Sequence, residues 1–593
     1  MTKALSLFER PARFLLLTWL MVGVLSVYYH KDKANVITWD NYGYYLYLPA
    51  FLKYGDWDSY SFVQEHHKNY PISSGIYQIQ TSPVEKTVPT YLYGMSVLYL
   101  PFYLVADGIA QCTSFPDDAM SPPYQWALIA GAWLYGLLAL WLLFKVLSSF
   151  WSINTAWLSL LIFLISTQFA YYTIAYPASP HVYLFFAYAA LIWATARYFE
   201  KPGRPYAALI GLIIGILCLS RPSEWVSVLI PLGFAFAKRV RISEHLFNGL
   251  LAFFVVLCMA IPQMVLWKYS TGQWIYNPYP FEPDWLNPHI VDGLFSYRKG
   301  WLVYTPVMAL AVLGMSLSEF RKSAWFWPVV LFFLFNLYMV FTWPMWWYTS
   351  SFGMRALIQS YPVMLLPFTA LFHYIQARAK GLRYLAHGLL FLLSALNMFQ
   401  TGQYEKRIIP LDGTTKKYYW KVFGNMERDK MLYRFMDLDS EMPARLASKC
   451  ISSDTFICSP DDAGAVSLLG KSGLNCDRSR EYCHTLQLTC GPFESDPPNT
   501  LWIVVSGEYA MLSDRFGEWE QAQMVVSMDH GDSTVYWKGV RLQPLTETNT
   551  WTPFRFEYEI KSPRDGAVVK AYLWNNGPDT LLLREMMLAM CPD

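Results

Sequence analysis

Apolar residues fall in long blocks separated by short polar links up to about residue 400, and only beyond that point do they alternate in short runs. The blocks occupy residues 14–29, 124–150, 153–173, 182–198, 207–219, 225–237, 247–267, 301–317, 324–343, 356–375 and 384–399. Runs of this kind read as membrane-spanning helices, so the pattern predicts a polytopic α-helical membrane protein with about eleven transmembrane helices. The links carry basic residues on alternate sides: Lys145; Arg197, Lys201 and Arg204; Lys238, Arg239 and Arg241; Arg321 and Lys322; Arg378, Lys380 and Arg383. By the positive-inside rule these are the cytoplasmic loops. The first block follows Lys3, Arg10 and Arg13, ends in Tyr28 and Tyr29 and lacks a small-residue cleavage site. It is expected to be an uncleaved signal anchor with a cytoplasmic N-terminus.

Residues 88–110 are also apolar, but counting them as a span would move every later basic loop outside and the cysteine-rich tail into a reducing compartment. Their Pro89, Pro101, Asp107 and four tyrosines suit an interfacial helix, within one extracytoplasmic loop over residues 30–123. The blocks 207–219 and 225–237 reach only about 20 Å each, against a hydrocarbon core of roughly 30 Å. The Ser220-Arg221-Pro222-Ser223 tip between them would then lie below the membrane surface, where an arginine calls for a polar cavity or an anion. The alternative is that the helices run longer and Arg221 snorkels.

Past residue 400 the pattern changes. Residues 402–445 form a connecting segment in which 418–438 reads as an amphipathic helix, and residues 446–593 form a separate domain. Its runs LWIVVSGEYAML, AQMVVSM, VYWKGVRL, FRFEYEI, AVVKAYLW and LLLREMML predict an all-β sandwich or jelly roll. Six of the nine cysteines lie in the tail, at Cys450, Cys458, Cys476, Cys483, Cys490 and Cys591. That clustering predicts disulfides in an oxidising space, with the connectivity open, and the tail has no CxxC pair of the kind a zinc site uses. Composition agrees with the membrane reading: 54% hydrophobic, 18% aromatic and 15% charged over 593 residues. A net charge of +2 with no long basic run argues against a nucleic-acid partner.

Candidate chemistry centres on Asp40 in VITWDNYGYYLYLPAF, ahead of the helically spaced Tyr44, Tyr47, Leu48 and Phe51. It is either a helix N-cap or a functional carboxylate. Loops on the same predicted face add Glu85, Lys86, His181, Arg221, Arg298, Lys299 and Arg355. Arg298 and Lys299 run against the positive-inside rule in their outer loop, and Arg355 follows a small-residue turn at a helix start, where capping is its other role. A lone carboxylate among cations is equipment for moving a group off a phosphate. The base takes the acceptor's proton, the cations hold the phosphate, and phosphate leaves without a general acid. Asp56-Trp57-Asp58 mimics a metal-binding DxD, but after Gly55 it reads as a turn. No pattern demands a cofactor, and a divalent cation such as Mg or Mn has no support in the sequence.

The first span, the long outer loop opening with WDNYGYYLYLPAFLKYGDW and the interfacial VPTYLYGMSVLYLPFYL together resemble the GT-C superfamily of membrane glycosyltransferases. FSYRKGWLVYTP and WWYTSSFGMR resemble stretches of its bacterial, dolichyl-phosphate-mannose-dependent protein mannosyltransferase-like members, and the likeness covers about residues 1–400. It implies that Asp40 is the general base, that Lys86 and His181 lie near the donor and that Arg355 contacts its phosphate or sugar; Tyr44, Tyr45, Glu85, Arg221, Arg298 and Lys299 are the further substrate-binding candidates. Lys86-Thr87-Val88-Pro89 departs from the Lys-Tyr-Pro-Pro-like segment of such relatives. The implied reaction is inverting sugar transfer from a polyprenyl-phosphate-linked donor to a glycan, lipid or protein hydroxyl. Its place would be the outer face of the bacterial cytoplasmic (inner) membrane, with the tail periplasmic and resembling carbohydrate-binding sandwiches. The non-enzymatic alternatives are a transporter or flippase of lipid-linked saccharides and a membrane-anchored carbohydrate-binding scaffold.

Overall fold

A computed structural model describes residues 10–32, 34–279, 282–438, 440–446, 450, 452–491, 500–513, 521–531, 533–561, 563–577 and 579–593. Lys3, part of the basic start, lies outside the described residues. The chain divides into two compact units, Met1–Thr401 and Gly402–Asp593.

The first unit is helical. Among the described residues six helices are long and apolar enough to cross a membrane: Ala12–His30, Pro122–Leu147, Pro180–Glu200, Ile242–Thr271, Arg355–Gln376 and Lys380–Glu405. Ile153–Ser166 and Phe169–Ala175 meet at 58° and make a seventh if they are one broken span. This is fewer than the eleven that hydropathy predicts, because several apolar blocks are short or interrupted. Arg204–Ser220, Pro222–Ala237 and Phe326–Phe341 are shorter apolar helices. The block at 301–317 splits into Trp301–Tyr304 and Val307–Gly314 around Pro306, which has no backbone N–H to continue the first helix.

Residues 36–121 form a folded layer of short elements. Helix Gly94–Gln111 is not among the six, and its Asp107 accepts from Lys53 Nζ at 3.2 Å and from the Tyr124 hydroxyl at 2.6 Å. Strands β1 (Ile79–Thr81) and β2 (Thr87–Pro89) form an antiparallel hairpin that pairs Ile79 with Pro89. The pairing continues outward, since Thr90 N donates to Gln78 O at 2.9 Å, and the same register sets Tyr77 opposite Tyr91. Asp56 holds the turn after Gly55, its carboxylate accepting from Ser59 and Ser61 backbone and hydroxyl groups. Burial alone would raise its pKa, but these hydrogen bonds win and bring it down to about 2.

His66, on helix Phe62–Asn69, is buried between the hydroxyls of Tyr42 (2.9 Å from Nδ1) and Tyr54 (3.1 Å from Nε2). Burial pushes it down to about 4, against the nearby charge of Asp118 that raises it. The unfolded chain therefore binds the extra proton first. Stability from this group is complete above about 6.5 and is lost as pH falls towards 4. Hydrogen exchange of residues 36–70 is expected to lose protection across that window, and His66→Gln to remove the pH dependence. Equal protection at pH 7 and pH 4.5 would contradict this.

The second unit is mostly β. Its strands are β3 (Ser452–Ile457), β4 (Ala465–Leu468), β5 (Lys471–Cys476), β6 (Tyr482–Thr489), β7 (Thr500–Met511), β8 (Ala522–His530), β9 (Ser533–Arg541), β10 (Thr552–Lys561), β11 (Val568–Asn575) and β12 (Leu581–Pro592). One sheet runs β10-β7-β12-β5-β4, with β3 also on β12, and the other runs β6-β11-β8-β9. Leu501, Ile503 and Val505 of the first and Met524, Val526, Val569 and Leu573 of the second share one buried core. The Tyr558 hydroxyl of β10 donates across it to Met524 O of β8 at 3.0 Å.

Disulfides join Cys450 to Cys591 and Cys476 to Cys483, while Cys458 and Cys490 are buried thiols. The expected helix over 418–438 is instead the short helix Lys416–Val422 and a separate 3-10 turn, Lys430–Phe435. Gly424, with φ of 90°, turns the chain between them. The segment is fastened to the sandwich by Asp437, which accepts from Arg541 Nε at 2.7 Å and from its second terminal nitrogen at 2.8 Å.

Candidate functional site

Asp40 sits in the first turn of helix Trp39–Tyr45, whose N-cap is Thr38, so it is not itself the cap. Its oxygens serve side chains instead. The hydroxyls of Tyr77 and Tyr91 both donate to Oδ1, at 2.8 and 2.7 Å, and Arg355 lies 3.5 Å from Oδ2. The hairpin explains the first two contacts, because opposed residues point the same way from a two-stranded ribbon. Burial first, then Asp40 itself, raises both phenols far above their usual range, so they remain neutral donors. Oδ1 is thereby occupied, and Oδ2 is the oxygen left to accept from a ligand.

The backbone leading to Asp40 is fixed from below. Gln125 Oε1, at the start of helix Pro122–Leu147, accepts from the N–H groups of Val36 and Ile37 at 2.8 and 3.0 Å. Trp39 is held at φ 50° with its N–H donating to Ile72 O at 3.1 Å. Gly43 is on the same helix, and a Cβ there would come within 2.2 Å of the Tyr91 ring. Gly43→Ala is therefore expected to displace Tyr91 and remove one hydrogen bond from Asp40. Any Asp40-dependent activity should fall about 10-fold, to the level of Tyr91→Phe. Near-identity with the parent in that assay, alongside a slow Tyr91→Phe, would show that the ring does not move.

Arg355 opens a 3-10 turn, Arg355–Ser360, after a loop with two consecutive left-handed residues, Tyr348 and Thr349 (φ 52° and 53°). Such strain persists only where surrounding structure enforces it. Gly353, at φ 57°, packs where a Cβ would lie 2.0 Å from Gln168 Nε2. Tyr348 lies under Arg221, whose guanidinium is 5.7 Å from the ring centroid. Arg221 and Asp40 both act electrostatically on Tyr44 and on Tyr279. Arg221 and Arg355 both act on His181. The structure thus gathers Asp40, Tyr44, His181, Arg221 and Arg355 from four separate parts of the chain. One terminal nitrogen of Arg221 and Nε of Arg355 are buried without a hydrogen-bond partner. Two such cationic donors beside a carboxylate are suited to an anionic ligand.

The remaining sequence candidates stand elsewhere. Lys86 and Glu85 are at the hairpin tip, where Lys86 Nζ donates to Tyr269 O at 3.3 Å and caps the Tyr269 ring at 3.6 Å. Five residues of extended ribbon separate that tip from Tyr77 and Tyr91, about 16 Å. Tyr45 turns away from Tyr44 and donates to Ala119 O at 2.6 Å. Arg298 lies 3.7 Å over the Trp347 ring, and buried Lys299 donates to Ser351 O, so both engage the loop that carries Arg355.

Three residues that sequence reasoning passed over complete the site's support. Gln359 Oε1 can only accept, so the 2.7 Å bond from His181 Nδ1 places a proton on that nitrogen. Gln359 Nε2 donates to Glu224 Oε1 at 2.9 Å, and Tyr188 donates to Glu224 Oε2. A buried carboxylate thus sets the amide, and the amide sets the imidazole. The signal was an acidic residue at the mouth of an apolar block. Among the described residues no group of three His, Cys, Asp or Glu side chains could hold a metal ion. No protein-family profile matches this chain, and no curated protein sequence matches it.

Proposed function

We propose that the first unit is an inverting, GT-C-type glycosyltransferase. It moves a sugar from a polyprenyl-phosphate-linked donor to an acceptor hydroxyl at the extracytoplasmic face of the membrane. The observation that carries this reading is Asp40 with one oxygen saturated by Tyr77 and Tyr91 and the other facing Arg355, in a cluster that also holds Arg221. In this reading the acceptor oxygen attacks the anomeric carbon as the bond to phosphate breaks. Its proton passes to Asp40 Oδ2, and the polyprenyl phosphate departs as an anion held by Arg221 and Arg355. The attacking hydroxyl becomes acidic only as its new bond forms, so a carboxylate is base enough to take its proton at that point. The two disulfides agree with a tail in an oxidising space.

The same reading proposes about eleven membrane crossings, counting the bent pair, the three shorter helices and the block split at Pro306, with a cytoplasmic N-terminus in a bacterial inner membrane and a periplasmic tail. A helix of 16 or 17 residues, such as Phe326–Phe341 or Arg204–Ser220, rises about 25 Å and crosses where the bilayer thins or flanking turns extend it. Mass spectrometry of surface glycans from a strain lacking this chain tests the function. Loss of a defined sugar, restored by the parent chain and not by Asp40→Asn, is the expected result, and an unchanged glycan profile counts against it.

A further inference from the structure

The outer face of the four-stranded sheet carries a feature that the membrane-unit chemistry does not use. Tyr482 of β6 and Trp574 of β11 are cross-strand partners, stacked at 6.5 Å with ring planes 12° apart. Tyr572 lies 5.9 Å from Tyr482, and Trp537 of β9 reaches over β8 to meet Trp574 edge-on at 6.3 Å. Trp537 Nε1 donates to the Tyr572 hydroxyl at 3.1 Å and Trp574 Nε1 to Glu481 Oε1 at 2.6 Å. The polar edges of both indoles are therefore engaged sideways, which locks the rings. Gly539 lets the Gln523 amide pack beside Trp537, since a Cβ there would lie 2.2 Å from Gln523 Oε1 and 3.3 Å from the Trp537 ring. Val525, paired with both Tyr572 and Gly539, is fully buried on this side of β8.

Cross-strand aromatic contacts stabilise the sheet, but Tyr482 is 61% and Trp537 49% exposed, so the group also presents clustered ring surface to solvent. At 150–250 Å² per aromatic side chain, those fractions amount to roughly 250 Å² of ring surface. A stable protein interface needs about 800 Å² per partner, so the patch is too small for a second copy of the chain and matches one or two sugar rings. Charge points the same way. Lys570, on the adjoining row, is paired to Asp529 at 2.8 Å, and Glu481 is the carboxylate nearest the rings. Among the described residues the rings thus have a paired lysine and a carboxylate beside them, which disfavours a phosphate or an acidic chain and so nucleic acid and anionic lipid.

We infer that Tyr482, Trp537, Tyr572 and Trp574 form a binding platform for a neutral oligosaccharide of pyranose units. A pyranose with equatorial hydroxyls presents axial C–H bonds on its ring faces, which the negative faces of the aromatics attract. Its hydroxyl rim meets hydrogen-bonding groups at Glu481, Gln523 and Thr485, the last paired with Tyr572. This site does not depend on whether the membrane unit transfers sugars.

Tryptophan fluorescence titration of the full chain, held in nanodiscs without sugar-headed detergent, tests it with cellotetraose, maltotetraose and mannotetraose. Saturable binding of at least one is expected. Trp537→Ala and Tyr482→Ala should each weaken it about 10-fold, and Trp537→Phe by less. Circular dichroism and an unchanged melting temperature in Tyr482→Ala, whose ring is largely exposed, separate lost binding from lost folding. No saturable binding of any of the three to 10 mM, binding indifferent to both alanine variants, or a Trp537-dependent self-association in its place would overturn the proposal.

Discussion

Replacing Asp40 with Asn is expected to slow sugar transfer by about 10³-fold while leaving the fold and donor affinity in place. The substitution keeps an oxygen where Tyr77 and Tyr91 donate, so the two hydrogen bonds that orient the side chain survive. What changes is the second position. An amide nitrogen there faces Arg355 and has no lone pair to take a proton from an acceptor. The ion pair it removes is long, at 3.5 Å, between side chains 24% and 40% exposed. Pairs of that kind contribute at most about 1 kcal/mol, too little to unfold the layer around it. Single-turnover transfer from a defined polyprenyl-phosphate sugar, in parallel with donor binding, separates the effects. Reduced kcat with unchanged donor affinity supports Asp40 as the base. A rate within about threefold of the parent would remove it from that role and favour transport of a lipid-linked saccharide, which uses the cations without a base.

Much of this architecture can be read from the residues. All six alternating runs that predict strands in the tail coincide with β7 to β12, since each alternates about a buried face. Strands β3 to β6 escaped because short, polar sequences such as SSDTFI and AVSL carry little alternation, and β4 buries none of its four residues fully. Their positions are settled by pairing, of β3 and β5 with β12, of β4 with β5 and of β6 with β11, which is tertiary information. Hydropathy located the helices of the first unit but not their lengths. A window average does not register the break at Pro306 or the 58° bend after Ser166.

The candidate site divides along the same line. Asp40, Arg221 and Arg355 were conspicuous because a charge in an apolar or aromatic setting is costly without a partner. Which charges meet was not legible. Tyr77 and Tyr91 reach Asp40 only through the register of a three-residue hairpin, and Lys86, one turn away in sequence, is carried off to Tyr269 by that same ribbon. Glu224, just past the 220–223 tip, carries no mark of its partners in the sequence, yet it is 1% exposed and governs Gln359 and, through it, His181. The cap reading of Asp40 failed by two residues, because Thr38 takes that place and leaves the carboxylate for the tyrosines.

The largest expected effect on stability lies in the second unit and is independent of any catalytic reading. The Cys450–Cys591 bond spans 141 residues, and the Cys476–Cys483 bond spans 7. Chain-entropy arguments value the first closure at about 5 kcal/mol and the second at about 2.5 kcal/mol, with native strain and residual structure lowering both. Position sharpens the difference. Cys591 is in the last strand and packs in a small core with Leu446, Trp502, Val504 and Ala589, so its bond ties the entry of the domain to its end. The short bond only closes the turn between β5 and β6. The double variant Cys450→Ser/Cys591→Ser is therefore expected to lose roughly 2–5 kcal/mol in denaturant unfolding of the full chain. Cys476→Ser/Cys483→Ser should lose less than half as much. The reverse order, or equal losses, would mean that the unfolded tail retains structure near Cys450 and that the long closure restrains little.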